Sequence, residues 1–194
     1  MGHRIREAMK DGTLNTFGTN GGAVEVDETY IGRDPKKKVA RGGNHKQKVL
    51  SLIDRTACKS RSMVIDNVKL KTLIPLIQAN VDPQARVMTD DARHYKILNR
   101  LFAEHGFTKH SNGQYVSHID KSIHSNTVEG FFSIFKRGMK GIYQHCGHNH
   151  LNRYLAEFDF RYNNRIKHGV DDEQRAEKLL LGVKGKRLTY QTTH

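Results

Sequence analysis

Only two cysteines occur in the 194 residues, Cys58 and Cys146, and they stand far apart. That excludes a disulfide framework and fits a reducing cytosol. No apolar run is long enough to cross a membrane, and the opening MGHRIREAMK is charged and lacks the apolar centre of a secretory signal. No internal repeat is visible. Acids are in short supply: Asp and Glu total 20 against 33 Lys and Arg, a formal net charge of +13. A chain this basic repels itself, and a polyanionic partner is the natural reason for the excess. Phosphate contacts would release condensed counterions, so such binding should weaken with salt. The plainer alternative is a solvated basic surface, on a ribosome-associated or merely soluble protein. What is present, 36% hydrophobic residues, suffices for one domain with a layered core.

Along the chain, residues 3–10 read as a short basic helix and residues 11–22, rich in Gly, Thr and Asn, as a flexible linker. VEVDETYIG (24–32) alternates as a strand, with Val24, Val26 and, as a third candidate, Thr29 on one face, and Glu25 and Asp27 on the other. Residues 33–48 form a basic loop containing Lys36, Lys37 and Lys38, either a hairpin tip or a DNA-contacting segment. Strands over 49–56 and 62–68 complete an antiparallel meander. Leu70, Leu73, Ile74 and Ile77 predict a helix over 70–81 with Pro75 inside it, followed by a strand over 85–90 and an amphipathic helix over 91–106. Residues 107–122 are polar, with short extended pieces at best; helices are predicted over 126–138 and 147–165, and a basic helix from 172. A meander followed by βα units gives an α/β fold, a mixed sheet covered by helices.

Three acids lie where such a fold could bring them together. Asp27 is on the polar side of the first strand, Asp90 ends the fourth with Asp91 after it, and Glu129 sits on a later helix. Divalent cations such as Mg²⁺ take oxygen ligands, few of them from protein, because water and phosphate fill the rest. Two such ions about 4 Å apart activate the attacking oxygen and stabilise the leaving one in phosphodiester chemistry. On the helix, Asn126, Glu129, Ser133 and Lys136 share one face, while Val128, Phe131, Phe132 and Phe135 make the apolar side. Lys136, with its neighbour Arg137, could hold a DNA phosphate beside the metals. Each residue has a plainer reading: an exposed strand acid for Asp27, a helix N-cap for Asp90, surface charges for Glu129 and Lys136. The run His145, Cys146, His148 and His150 lacks the paired spacing of a zinc site. Arg153, Arg161, Arg165 and Lys167 make either a DNA track or a solvated face.

VEVDETYIG, VMTDDARHY, HSNTVEGFFSIFKRGMKGIYQH and HLNRYLAEFDFRYNNR, with GKRLTY near the end, occur in this order from about Val24 to Tyr190. Together they resemble the catalytic domain of bacterial insertion-sequence transposases of the fifteen-ninety-five family, the ISXO-two-like domain. The resemblance implies a ribonuclease-H-like mixed sheet, three antiparallel strands plus parallel additions, flanked by helices. It implies DDE-type chemistry with two Mg²⁺ ions, for which Mn²⁺ can substitute. By position, Asp27 is the first metal ligand and Asp90 the second. Glu129, with Lys136 seven residues on, matches the third acid of related transposases; Asn126 matches the branch members described with Asn there. Charge favours Glu129. His124, just ahead of the helix, is a candidate for contact with the site or with DNA.

The resulting expectation is an N-terminal remnant and linker over 1–22 and a DDE transposase catalytic domain over 23–194. It would cleave and transfer DNA strands in transposition of an insertion sequence. Its partners would be transposon ends, target DNA and further copies in a homodimer or higher synaptic oligomer, in the cytoplasm at the nucleoid. Full members of the family usually carry a zinc-ribbon-like segment and a helix-turn-helix ahead of this domain, where this chain has a short basic helix. The alternative is therefore a catalytically inactive basic DNA-binding remnant of a truncated transposase.

Overall fold

The computed structural model describes residues 2–39, 43–90, 93–108, 116, 120–144 and 146–186. Strand β2 (Gln47–Asp54) is buried along its whole length, as a strand covered on both faces and both edges must be. It pairs antiparallel with β1 (Ala23–Ile31) on one side and with β3 (Lys59–Ile65) on the other. β4 (Arg86–Asp90) adds to β1 in parallel, and β5 (Glu104–Thr108) adds to β4 in parallel. The order β3-β2-β1-β4-β5 is the ribonuclease-H-like mixed sheet that the motifs implied. β1 is the central strand, where the antiparallel meander meets the parallel pair.

Helices cover both faces. On one, Val24, Val26, Leu50, Leu52 and Val87 of the sheet pack against Leu73 and Ile77 of α2 (Leu70–Asn80), and against Tyr95, Leu98 and Phe102. Pro75 sits inside α2 without ending it, and Leu70, the first residue of the helix, is 37% exposed. On the other face, Ile31, Val49 and Ile53 meet Val128, Phe131, Phe132 and Phe135 of α3 (Asn126–Gly138). Leu151, Tyr154, Leu155 and Tyr162 of α4 (Leu151–Asn163) complete this second core. The apolar side of α3 is thus the one the sequence assigned. At its end Gly138 lies so close to Phe158 that an added Cβ would come within 2.5 Å of the ring, so α3 and α4 touch through a missing side chain.

Two expectations are corrected. The helix over 91–106 is instead a 3₁₀ turn over Arg93–Arg100 followed by β5. Tyr95, Leu98 and Phe102 do enter the core, but the chain then straightens because β4 offers an open edge for parallel pairing. The segment expected to be a linker is tied down at Phe17, which is buried, bridges to Val81 and exchanges backbone hydrogen bonds with residues 80 and 82. Gly18 follows at φ 75°, its N–H donating to Asp54, with Ala85 too near to admit a Cβ. The first helix, α1 (Gly2–Ala8), packs on α4 through the ion pair of Arg6 with Glu157 at 2.7 Å. A last helix, α5 (Asp172–Leu181), starts with a capping box from Asp171 and Gln174.

Candidate active site

Alternation along β1 sorts its side chains into two sets. Val24 and Val26 enter the first core, and Glu28 shares their face, accepting a hydrogen bond from the hydroxyl of buried Tyr95. Glu25, Asp27, Thr29 and Ile31 turn toward α3. Thr29 therefore lies on the face of Asp27, not with Val24 and Val26, because the period of two is unbroken.

Glu25 of β1 and Met88 of β4 are in register. Two residues further along each strand, just past the last paired residues, stand Asp27 and Asp90, and the Asp90 charge acts on Asp27. The carboxyl of Asp27 is pushed up to about 8, first by burial in the middle of a central strand, then by the charges of Asp90, Glu28 and Glu129. Glu28 is pushed up to about 7, again first by burial, with Tyr95 opposing the rise and Asp90 adding to it. Four carboxylates from β1, β4 and α3 thus share one electrostatic neighbourhood. They are not closed into a cage: among the described residues no group of three or more His, Cys, Asp or Glu side chains is set to hold a metal ion.

On α3, Glu129 is partly buried and accepts a hydrogen bond from Ser125 Oγ at 2.9 Å. Asn126, one turn earlier, is exposed as the first residue of the helix, and it is Glu129 whose charge bears on Asp27. Lys136 is half-buried two turns beyond Glu129, with Arg137 exposed beside it. In the β1–β2 connection Lys36 and Lys38 are exposed, while Lys37 pairs with Asp34 at 3.4 Å. Asp91 and His145 lie outside the described residues.

His124 sits in a network that the sequence did not reveal. Glu25, fully buried, receives Arg55 Nε on Oε1 at 2.5 Å and the backbone N–H of Val128 on Oε2 at 2.8 Å. Arg55 also donates to the carbonyls of Ser122 and His124, and meets His124 Nδ1 at 2.9 Å. Burial and the Arg55 charge hold the His124 imidazole below its ordinary range. The available signal was that Glu25 shares the alternation of Asp27 in a strand; Arg55, thirty residues away, gave none.

The weaker clusters find other employment. His150 stacks on His3, with ring centres 4.1 Å apart, and burial pushes the Cys146 thiol up to about 11, away from the thiolate that zinc requires. Arg153 pairs with Glu7, Arg161 with Glu157, and Arg165 lies over the Tyr162 ring at 3.6 Å. Three of the four cations of the suggested DNA track are therefore engaged within the fold.

A mixed sheet of this order, with acids grouped where its antiparallel and parallel parts meet, is of the ribonuclease-H-like class. The family follows from comparison. The family model of the ISXO2-like transposase domain matches residues 20–163, and the chain belongs to that transposase family. A Haemophilus influenzae protein named "Uncharacterized transposase-like protein" is 30% identical over 107 residues, 55% of this chain and 83% of that protein. Among solved structures, a chain of the simian T-cell lymphotropic virus intasome in complex with PP2A regulatory subunit B56 gamma is similar at 12% identity and a TM-score of 0.47. That match takes in 96% of this chain and 62% of the intasome chain's length. Among the described residues no helix is long and apolar enough to cross a membrane.

Proposed function

We propose that this domain is the catalytic part of a DDE-type transposase, cutting phosphodiester bonds at the ends of an insertion sequence and joining the freed 3′ hydroxyls to target DNA. The observation that carries this reading is the parallel pairing of β1 with β4, which sets Asp27 and Asp90 just beyond the paired residues, with Glu129 of α3 near enough for its charge to act on Asp27. A protein tolerates such crowding of like charge at a site where it serves function.

The donor set fits Mg²⁺, with Mn²⁺ as substitute: oxygen ligands only, few in number, and mutually repelling until a cation neutralises them. Asp27, Asp90 and Glu129 would hold two ions, and bound ions would neutralise the charge that develops on the scissile phosphate. Glu129 is favoured over Asn126 because its charge acts on Asp27 and a carboxylate binds Mg²⁺ better than an amide. Lys136 and Arg137, along the same helix, would grip DNA phosphates next to the site. Lys36, Lys37 and Lys38 would extend the contact from the β1–β2 connection. His124, held by Arg55, would shape the approach to α3. Two DNA ends and a target imply assembly as a homodimer or higher synaptic oligomer, acting at the nucleoid.

A second reading, DNA binding without catalysis, draws on the open arrangement of the acids, which form no ion-ready group among the described residues. One experiment separates the two. The protein is incubated with Mg²⁺ and DNA carrying the sequences on either side of its gene, searched first for terminal inverted repeats, and strand cleavage and joining are followed on gels. Catalysis predicts cleavage that Asp27→Ala and Asp90→Ala abolish while DNA binding persists. Binding with no cleavage by the parent protein supports the second reading, and full activity in either variant defeats the assignment of these acids.

A further inference from the structure

We propose that Glu25 and Arg55 are positioning residues for Glu129, forming a clamp that fixes the start of α3 against the strand bearing Asp27. The inference rests on the reading of Glu129 as the third metal ligand. Its starting point is a departure from ordinary helix capping. Ser125 stands at the N-cap of α3, a position where serine normally accepts from a backbone N–H two or three residues on, yet it makes no side-chain cap bond. Its hydroxyl donates to Glu129 instead. The N–H of Val128, one of the donors that a helix leaves without partners, goes to Glu25 of β1 at 2.8 Å.

The cap thus comes from the sheet. Glu25 and Asp27 project from the same face of β1, two residues apart, roughly 7 Å along the strand. Glu129 immediately follows Val128. Capping α3 from Glu25 therefore fixes the first turn of the helix at a set offset from Asp27. A serine cap would hold the helix only to itself.

Arg55 completes the clamp. From the turn after β2 it neutralises Glu25 at 2.5 Å and binds the carbonyls of Ser122 and His124, with His124 Nδ1 at 2.9 Å. Glu25 has no solvent exposure and the Arg55 side chain is 17% exposed, so the pair is shielded from screening and fixed in geometry. One guanidinium joins β1 to the segment leading into α3. Mg²⁺ demands near-ideal ligand geometry, so loosening this joint should weaken metal binding with the ligands themselves untouched.

The test measures Mn²⁺ binding by calorimetry on the full chain, together with amide hydrogen exchange. Arg55→Met alone leaves a buried charge on Glu25 and risks unfolding. The double variant Glu25→Gln with Arg55→Met removes both charges and retains an acceptor oxygen for Val128. The clamp predicts that exchange quickens at least about tenfold over residues 120–130 while β1 and β2 stay protected. Mn²⁺ affinity should fall about 10–100-fold, as for removal of groups that orient metal ligands. Unchanged affinity with unchanged protection over 120–130 overturns the clamp. If the parent protein takes up no Mn²⁺, the metal reading falls, and the exchange data still decide whether Glu25 and Arg55 hold α3.

Discussion

Replacing Asp27 with Asn should make the metal-free protein more stable, and increasingly so as pH rises. The Asp27 carboxyl moves from 3.8 to about 8 on folding, through burial first and then the charges of Asp90, Glu28 and Glu129. Between these values the folded chain holds a proton that the unfolded chain has lost. The unfolded state then binds fewer protons, so stability declines as pH climbs from about 4 to 8 and levels off above. Four units at 1.36 kcal/mol each set a ceiling of about 5 kcal/mol. Because Asp27 titrates under the charges of Asp90 and Glu28 and the site can relax, about 2–3 kcal/mol at pH 8 is the working figure. Asn carries no charge in either state and removes the penalty. In a chain of this length each kcal/mol moves Tm by about 2–4 °C, so Asp27→Asn should melt about 5–10 °C above the parent at pH 8 and level with it near pH 4.5. Scanning calorimetry in EDTA across that range measures the gap. Added Mg²⁺ should then raise the Tm of the parent and leave the variant unmoved, since an ion that binds only the folded state stabilises it. A gap that is absent at pH 8, or that does not change with pH, would refute the claim that Asp27 is held among repelling carboxylates.

Three further outcomes follow from the same geometry. Glu129→Gln should lower strand cleavage on the order of 10²–10³-fold, the usual scale for losing one group that faces developing charge, while Asn126→Ala changes it little; single-turnover cleavage rates distinguish them. Lys136→Ala should weaken DNA binding alike for all sequences and reduce the slope of log affinity against log salt by about 1, read by fluorescence anisotropy over a salt series. Tyr95→Phe should cost about 1–3 kcal/mol at pH 8, where buried Glu28 is ionised and loses a donor, and less at pH 5, where Glu28 is protonated; urea unfolding at the two pH values gives the difference.

The parts of this protein legible in its sequence are those whose signal is local. Alternation over residues 24–32 located β1 and put Glu25 and Asp27 on one face, and the spacing of Val128, Phe131, Phe132 and Phe135 fixed both the bounds of α3 and its buried side. Asp27 and Asp90 could be paired in advance through the family resemblance, and their strands β1 and β4 do lie side by side, paired up to Glu25 and Met88. β5 escaped notice because EHGFT is short, contains Gly, and exists as a strand through the free edge of β4. The burial of Phe17 was hidden by the Gly, Thr and Asn around it. The Glu25–Arg55–Val128 joint unites three distant parts of the chain, and no spacing rule reaches across such separations.

If Asp27, Asp90 and Glu129 gather around divalent ions, anomalous scattering from crystals soaked in Mn²⁺ should locate them. One peak should lie within about 2–2.5 Å of carboxylate oxygens of both Asp27 and Asp90, and a second about 4 Å away toward Glu129. Crystals whose only Mn²⁺ lies elsewhere, or nowhere, at concentrations that support cleavage in solution, would contradict this arrangement.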